Sequence, residues 1–299
     1  MEGRIKFQGM GVALITPFQA DGEVDYPALS RLIEYQLQNE ADYLVVLGTT
    51  AETPALTSEE QRKITQIAVD QVNGRVPVVL GVSGNNTRAL VEKLKKEDYT
   101  GIDAILSVVP YYNKPSQEGI FQHYKQIVEA TDLPLILYNV PGRTGVNMTA
   151  ETTLRLAYTF GSIVAVKEAS GNMEQICAII RQKPLGFQLI SGDDGITLPL
   201  IALGASGVIS VMGNAFPHLF GRMVRLALAG DCSTALPIHH RFAELFELLF
   251  ADGSPAGIKC ILHSMGYIEN ELRLPLVPVR SATAQRISQA LQTFQPSSY

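Results

Sequence analysis

IVAVKEAS, residues 163–170, is a run of four apolar residues that ends in a lysine. A near-continuous apolar run is what a strand covered on both faces requires, and parallel sheets are built from such strands. The same kind of run recurs along the chain: GVALITPF (11–18), YLVVLGTT (43–50), VPVVLGVS (76–83), AILSVVPYY (104–112), LPLILYNVP (133–141), FQLISGDD (187–194) and GVISVMGN (207–214). Between the runs, apolar residues are spaced by three and four, as in Leu29, Leu32, Ile33 and Leu37, which is the helix period. Eight strand–helix units predict an α/β fold, a (β/α)8 TIM barrel over residues 1–230. An open dinucleotide-binding sheet would want GxGxxG after an early strand, and the sequence contains none.

After Gly230 the strand signals stop. Ser233–Phe250, Pro255–Met265 and Ser281–Phe294 read as helices, so residues 231–299 are expected to form a C-terminal helical extension. The stretch Leu198–Met212 is broken by Gly204, Ser206, Gly207 and Ser210 and reads as helix–turn–strand, not as a membrane span. The net charge of −5 and the lack of a Lys/Arg cluster argue against a nucleic-acid surface. Met1–Gln8 holds charges and no apolar run, so no secretory signal is read there. Cys177, Cys232 and Cys260 lie far apart with no CxxC and are expected to be buried free thiols. The expectation is a cytoplasmic protein with no membrane partner.

In a parallel barrel the site lies at the C-terminal ends of the strands. Those ends bring together Thr49, Thr50 and Glu52; Tyr111 and Tyr112; Tyr138 and Arg143; Lys167; and Gly192, Asp193 and Asp194. Strand alternation puts Ile163, Ala165 and Lys167 on one face and Val164, Val166 and Glu168 on the other. A lysine pointing into the barrel mouth would be partly desolvated, which disfavours the ammonium and leaves an amine able to form a Schiff base. The resulting iminium withdraws electrons, so the neighbouring carbon can lose a proton and become an enamine nucleophile. Metal-assisted aldol chemistry would need clustered His and acidic ligands. None of the five histidines (His123, His218, His239, His240, His263) falls at a strand end, so no metal and no cofactor is expected. Glu168, Asp193 and Asp194 read as solvated or structural.

GTTAE (48–52), PYYNKPSQEG (110–119), LYNVPGRTG (137–145), VKEASG (166–171), SGDD (191–194) and GVISV (207–211) together resemble the pyruvate-dependent Schiff-base aldolase/lyase family, most of all its dihydrodipicolinate synthase branch. Ala51 departs from the second glycine usual in that branch. The resemblance implies that Lys167 condenses with pyruvate and that Tyr138 shuttles protons, linked through Thr49 to Tyr112, which reaches across a dimer interface. It implies that the N–H groups of Thr49 and Thr50 hold the pyruvate carboxylate, that Gly192 and the Ile209 carbonyl line the pocket, and that Arg143 receives the carboxylate of L-aspartate 4-semialdehyde on the path to lysine and diaminopimelate. Relatives acting on N-acetylneuraminate or 2-keto-3-deoxy sugar acids generally lack the RTG arrangement, and a non-catalytic keto-acid-binding barrel would need no proton relay. The resemblance also implies a homo-oligomer, a dimer or a dimer of dimers. It implies weak or absent inhibition by lysine: Ser58 and Gln61 stand where regulated members tend to carry histidines and Ala89 where they carry a glutamate, while Asn85 and Tyr111 remain.

Overall fold

Eight parallel strands close on themselves in sequence order, β1 (Gly9–Ala13), β2 (Tyr43–Val46), β3 (Val78–Gly81), β4 (Ala104–Val108), β5 (Leu135–Asn139), β6 (Ile163–Glu168), β7 (Gln188–Ser191) and β8 (Gly207–Ser210), with β8 paired to β1. The structure, a computed structural model, describes residues 6–294. A helix follows each strand: Tyr26–Gln38, Ser58–Val72, Thr87–Lys96, Gln117–Val128, Ala150–Thr159, Met173–Gln182, Thr197–Ala202 and Pro217–Leu228. Their starts are written in the sequence. Asp25, Thr57, Asn86, Ser116, Thr149 and Asn172 each accept a backbone N–H of the first turn, satisfying donors that the helix itself cannot. Leu198–Met212 contains the expected helix, turn and strand, and no helix among the described residues is long and apolar enough to cross a membrane.

Alternation along the strands makes two cores. Val45, Val79, Leu106, Ile136, Ala165, Ile190 and Ile209 fill the barrel interior, while Leu44, Leu80, Ile105, Leu137, Val166 and Leu189 pack outward under the helices. Tyr43 occupies the interior so fully that a Cβ on Gly11 would lie 2.1 Å from its ring, which is why the neighbouring strand has glycine there.

The expected alternation of β6 is broken at one point. Leu135 pairs with Ile163, but Ile136 pairs with Ala165, leaving Val164 as an extra residue in a bulge. Ile163 therefore joins the outer core instead of sharing a face with Ala165. Beyond the bulge the pairs Tyr138–Lys167 and Lys167–Ile190 are in register, and Lys167 faces inward as expected.

The described elements after residue 230 are all helical: Cys232–Arg241, Ala243–Leu248, Ala256–Ser264 and Ser281–Gln292. The single helix expected over 233–250 is divided at Phe242, whose N–H bonds three residues back to the His239 carbonyl and so tightens the turn. Phe242 is fully buried among Phe216, Phe220, Phe246 and Phe294, and this aromatic packing joins the extension to the helix after β8. The cysteines are free, but only Cys260 is buried. Cys177 is exposed because it lies about 100° around its helix from the buried Ile176.

A second attachment is ionic. Lys259, fully buried on the third of these helices, reaches Glu52 Oε1 at 2.5 Å, donates to the Glu271 carbonyl at 2.8 Å and lies 4.2 Å from the centre of the Phe18 ring. Burial outweighs the pull of Glu52 and holds the Lys259 ammonium down at about 8. Arg273 donates its backbone N–H to Glu52 Oε2 at 3.1 Å and both guanidinium ends to Glu60, at 2.8 and 2.6 Å. Glu60 is also the reciprocal cap of the helix that follows. Removing one member of a buried pair leaves the other uncompensated, so Lys259→Met is expected to lower unfolding stability by about 3–5 kcal/mol. Adding Glu52→Gln should recover most of that loss in denaturation curves; a double variant no more stable than Lys259→Met would contradict the pairing.

Candidate active site

Lys167 is only 5% exposed, yet it has no carboxylate partner among the described residues. Its ammonium nitrogen sits 4.2 Å from the centre of the Tyr138 ring, supplied by the neighbouring strand at the same register position. Gly192, at the end of β7, makes room for the stem: a Cβ there would come within 3.1 Å of Lys167 Cε and 2.7 Å of the Ala169 Cβ. Ile209 is buried and faces inward on β8. One lysine is thus packed by an aromatic ring and a glycine and left unpaired, an arrangement suited to a nucleophile and poorly suited to a structural cation.

The barrel mouth opens into a cavity of about 330 Å³ lined by Thr49, Tyr138 and Arg143 together with Tyr111, Thr144 and Lys93. Thr49 begins a short 3-10 turn, Thr49–Ala51, closed by Glu52 in the left-handed region at φ 56°. A non-glycine residue held there is strained by about 1 kcal/mol or more. The bonds to Lys259 and Arg273 hold the Glu52 carboxylate in place. Thr16 Oγ1 braces the same turn by donating to the Ala51 carbonyl at 2.8 Å. Ala51 is fully accommodated at 2% exposure, so its methyl faces packed protein and not the cavity.

The structure does not gather every expected residue. Thr50 is buried beside Thr49 but does not line the cavity, and neither do Lys167, Gly192 and Ile209. Thr49, Tyr138 and Tyr112 make no side-chain hydrogen bond with one another among the described residues. Tyr112 is 83% exposed and, at φ 73°, adopts a backbone conformation unusual for a bulky residue. Arg143, on the short helix Pro141–Thr144, is exposed and has no ion-pair partner among the described residues. No group of three or more His, Cys, Asp or Glu side chains that could hold a metal is found among the described residues.

Of the acidic residues next to the site, Glu168 and Asp194 are buried and structural, and Asp193 is half-buried. Glu168 is wholly inaccessible on the outer face of β6. Asp194, 2% exposed, accepts the backbone N–H groups of Val211 and Met212 at 3.0 and 2.8 Å, and burial raises its carboxyl to about 6. It thereby anchors the turn that follows Ile209. Asp193 caps the adjoining turn by accepting the Gly195 N–H at 2.9 Å.

The model of the Dihydrodipicolinate synthetase family matches residues 6–294. The chain belongs to that family. It is 67% identical over 282 residues to the 4-hydroxy-tetrahydrodipicolinate synthase of Phocaeicola vulgatus, a match that covers 94% of this chain and 95% of the relative. Among solved structures, dihydrodipicolinate synthase from Aquifex aeolicus superposes with a TM-score of 0.93 at 42% identity, covering 96% of this chain and 98% of the other. The enzyme from Cyanidioschyzon merolae, solved with lysine bound, superposes with a TM-score of 0.92 at 41% identity, covering 96% and 98%. The six stretches that carry the resemblance lie in or directly after β2, β4, β5, β6, β7 and β8. Sequence reasoning missed Lys259, Arg273 and Glu60, because a charged residue in a helical pattern (Lys259, Glu60) or in a loop (Arg273) reads as solvent-facing until its distant partner is seen.

Proposed function

We propose that the protein is a 4-hydroxy-tetrahydrodipicolinate synthase, condensing pyruvate with L-aspartate 4-semialdehyde in lysine and diaminopimelate biosynthesis. The observation that carries this reading is the Lys167 amine packed on the ring of Tyr138, which lines a cavity together with Arg143, neither cation having an ion-pair partner among the described residues. The amine attacks the keto carbon of pyruvate and water leaves, forming the iminium. A methyl proton then passes to a base, giving the enamine. The enamine carbon bonds to the aldehyde carbon, whose oxygen takes up a proton. The amino group of the second substrate finally attacks the imine carbon, closes the ring and releases the Lys167 amine. Each stage moves a proton, and the phenol of Tyr138 is the group beside the amine able to give and take one. Thr49 and Thr50 hold the pyruvate carboxylate by their N–H groups, with Gly192 and the Ile209 carbonyl completing that pocket. The chemistry is assigned to the barrel, residues 1–230, and the location to the cytoplasm.

Arg143 takes the carboxylate of the aldehyde substrate. Its planar fork matches a carboxylate, and among the described residues no acid is paired with it. Tyr112 serves a neighbouring copy in a dimer or a dimer of dimers: its exposed, left-handed placement supports a role completed outside its own chain. Lysine is expected to be a weak inhibitor or none. In addition to Ala89, a resident cation supports this, since Lys93 Nζ bonds Gln61 Oε1 at 3.0 Å in the cavity wall. An incoming ammonium would meet a like charge there and no glutamate at position 89.

Coupled assays test the reading. Arg143→Ala should lower kcat/KM for aspartate semialdehyde by roughly 100-fold, about 2.7 kcal/mol, with the KM for pyruvate nearly unchanged. Equal damage to both, or turnover of N-acetylneuraminate or 2-keto-3-deoxygluconate in place of condensation, would contradict it. Light scattering should find no active monomer, and half-inhibition by L-lysine well below a millimolar would overturn the regulatory reading.

A further inference from the structure

Glu168 is a buried carboxylate without a cation. It accepts the Ser170 N–H at 2.7 Å, the Asn139 side-chain amide at 3.1 and 3.3 Å and the Gln175 amide at 3.2 Å, and it has no ion-pair partner among the described residues. Placing a charge so deep on neutral donors alone is costly. Its partners show what it holds. Asn139 also donates to Asn147 Oδ1 at 2.8 Å and accepts the Met148 N–H at 3.0 Å. Gln175 accepts from Asn147 Nδ2 at 2.8 Å and donates to the Met148 carbonyl at 3.2 Å. Both ends of the segment 140–147 are therefore tied to one carboxylate, and Arg143 sits in the middle of that segment. Within it, Thr144 Oγ1 donates to the Val140 and Val146 carbonyls at 3.2 and 2.8 Å, so the loop is braced across its own neck.

Register makes the connection direct. Tyr138 pairs with Lys167 and Asn139 with Glu168 on the same two strands. The inward pair meets at the reacting amine; the outward pair grips the base of the loop that carries the guanidinium. We propose that Glu168, Asn139, Asn147 and Gln175 form a clamp that positions Arg143 relative to Lys167 and so sets the preference for a carboxylate-bearing second substrate. The proposal rests on the assignment of Arg143 to that carboxylate. These are positioning residues: none lines the cavity. A small displacement at this distance is enough, because catalytic geometry misplaced by about 1 Å can cost on the order of 100-fold.

The test is a double-mutant cycle with steady-state kinetics for both substrates. Glu168→Gln preserves shape but removes an acceptor. It should raise the KM for aspartate semialdehyde roughly tenfold while the KM for pyruvate stays within about twofold. Gln175→Leu, on the helix behind, is the second variant and should act in the same direction should Glu168→Gln fail to fold. In an Arg143→Ala background neither change should raise the aldehyde KM further, since there is no guanidinium left to misplace. Additive effects in that background, a parallel rise in both KM values, or folded variants with unchanged aldehyde KM would overturn the clamp. Arg143→Ala without effect on the aldehyde would instead bring down the assignment on which the clamp rests, and the clamp with it.

Discussion

The extra residue at Val164 decides where the reactive group points. Counted from Ile163, which packs outward, strict alternation would send Ala165 and Lys167 outward too. The bulge shifts the count by one, so Ala165 and Lys167 turn into the barrel and Glu168 turns out. Everything at the barrel mouth is referred to that choice. Tyr138 meets the amine because β5 holds the same register, and Gly192 leaves the volume its stem needs. A lysine and a glutamate are buried back to back on one strand, in environments that differ in kind: an aromatic face and a glycine on one side, a set of amide donors on the other.

Two structural devices outside the reacting centre hold the rim. One is the ion-pair group of Glu52, Lys259, Arg273 and Glu60, which fastens the helical extension to the turn carrying Thr49 and Thr50. Arginine and lysine share the Phe18 ring there, at 4.7 and 4.2 Å, with Lys259 and Glu52 fully buried and Arg273 and Glu60 at the edge of that burial. The other is the amide network around Glu168 beneath the Arg143 loop. The first uses opposite charges and the second only dipoles, yet both place a buried carboxylate directly behind a functional segment. The extension beyond residue 230 is thus part of how the site is built.

Much of this was legible in the residues. Apolar runs separated by helix-period stretches are enough to give the barrel, because buried parallel strands and amphipathic helices leave different and local signatures. Lys167, Tyr138, Arg143 and the GTTAE turn stood out because chemistry-bearing residues collected at strand ends. Local pattern could not give the Val164 bulge, since an apolar residue fits either face. Nor could it show that Glu168 and Asp194 are buried, because their hydrogen-bond donors lie in other segments: Asn139 and Gln175 for one, the backbone of Val211 and Met212 for the other. Lys259 and Arg273 were invisible for the same reason, their partner Glu52 being more than 200 residues away. What sequence hides is long-range compensation of charge.

The central claim is that Lys167 is the nucleophile towards pyruvate. Incubating the protein with pyruvate, reducing with borohydride and mapping the modified peptide by mass spectrometry tests it most directly. The account predicts one pyruvate-derived adduct, on Lys167 and not on Lys93, Lys114 or the buried Lys259, together with loss of activity in proportion to its formation. An adduct on another lysine, or no adduct while the enzyme remains fully active, would contradict it.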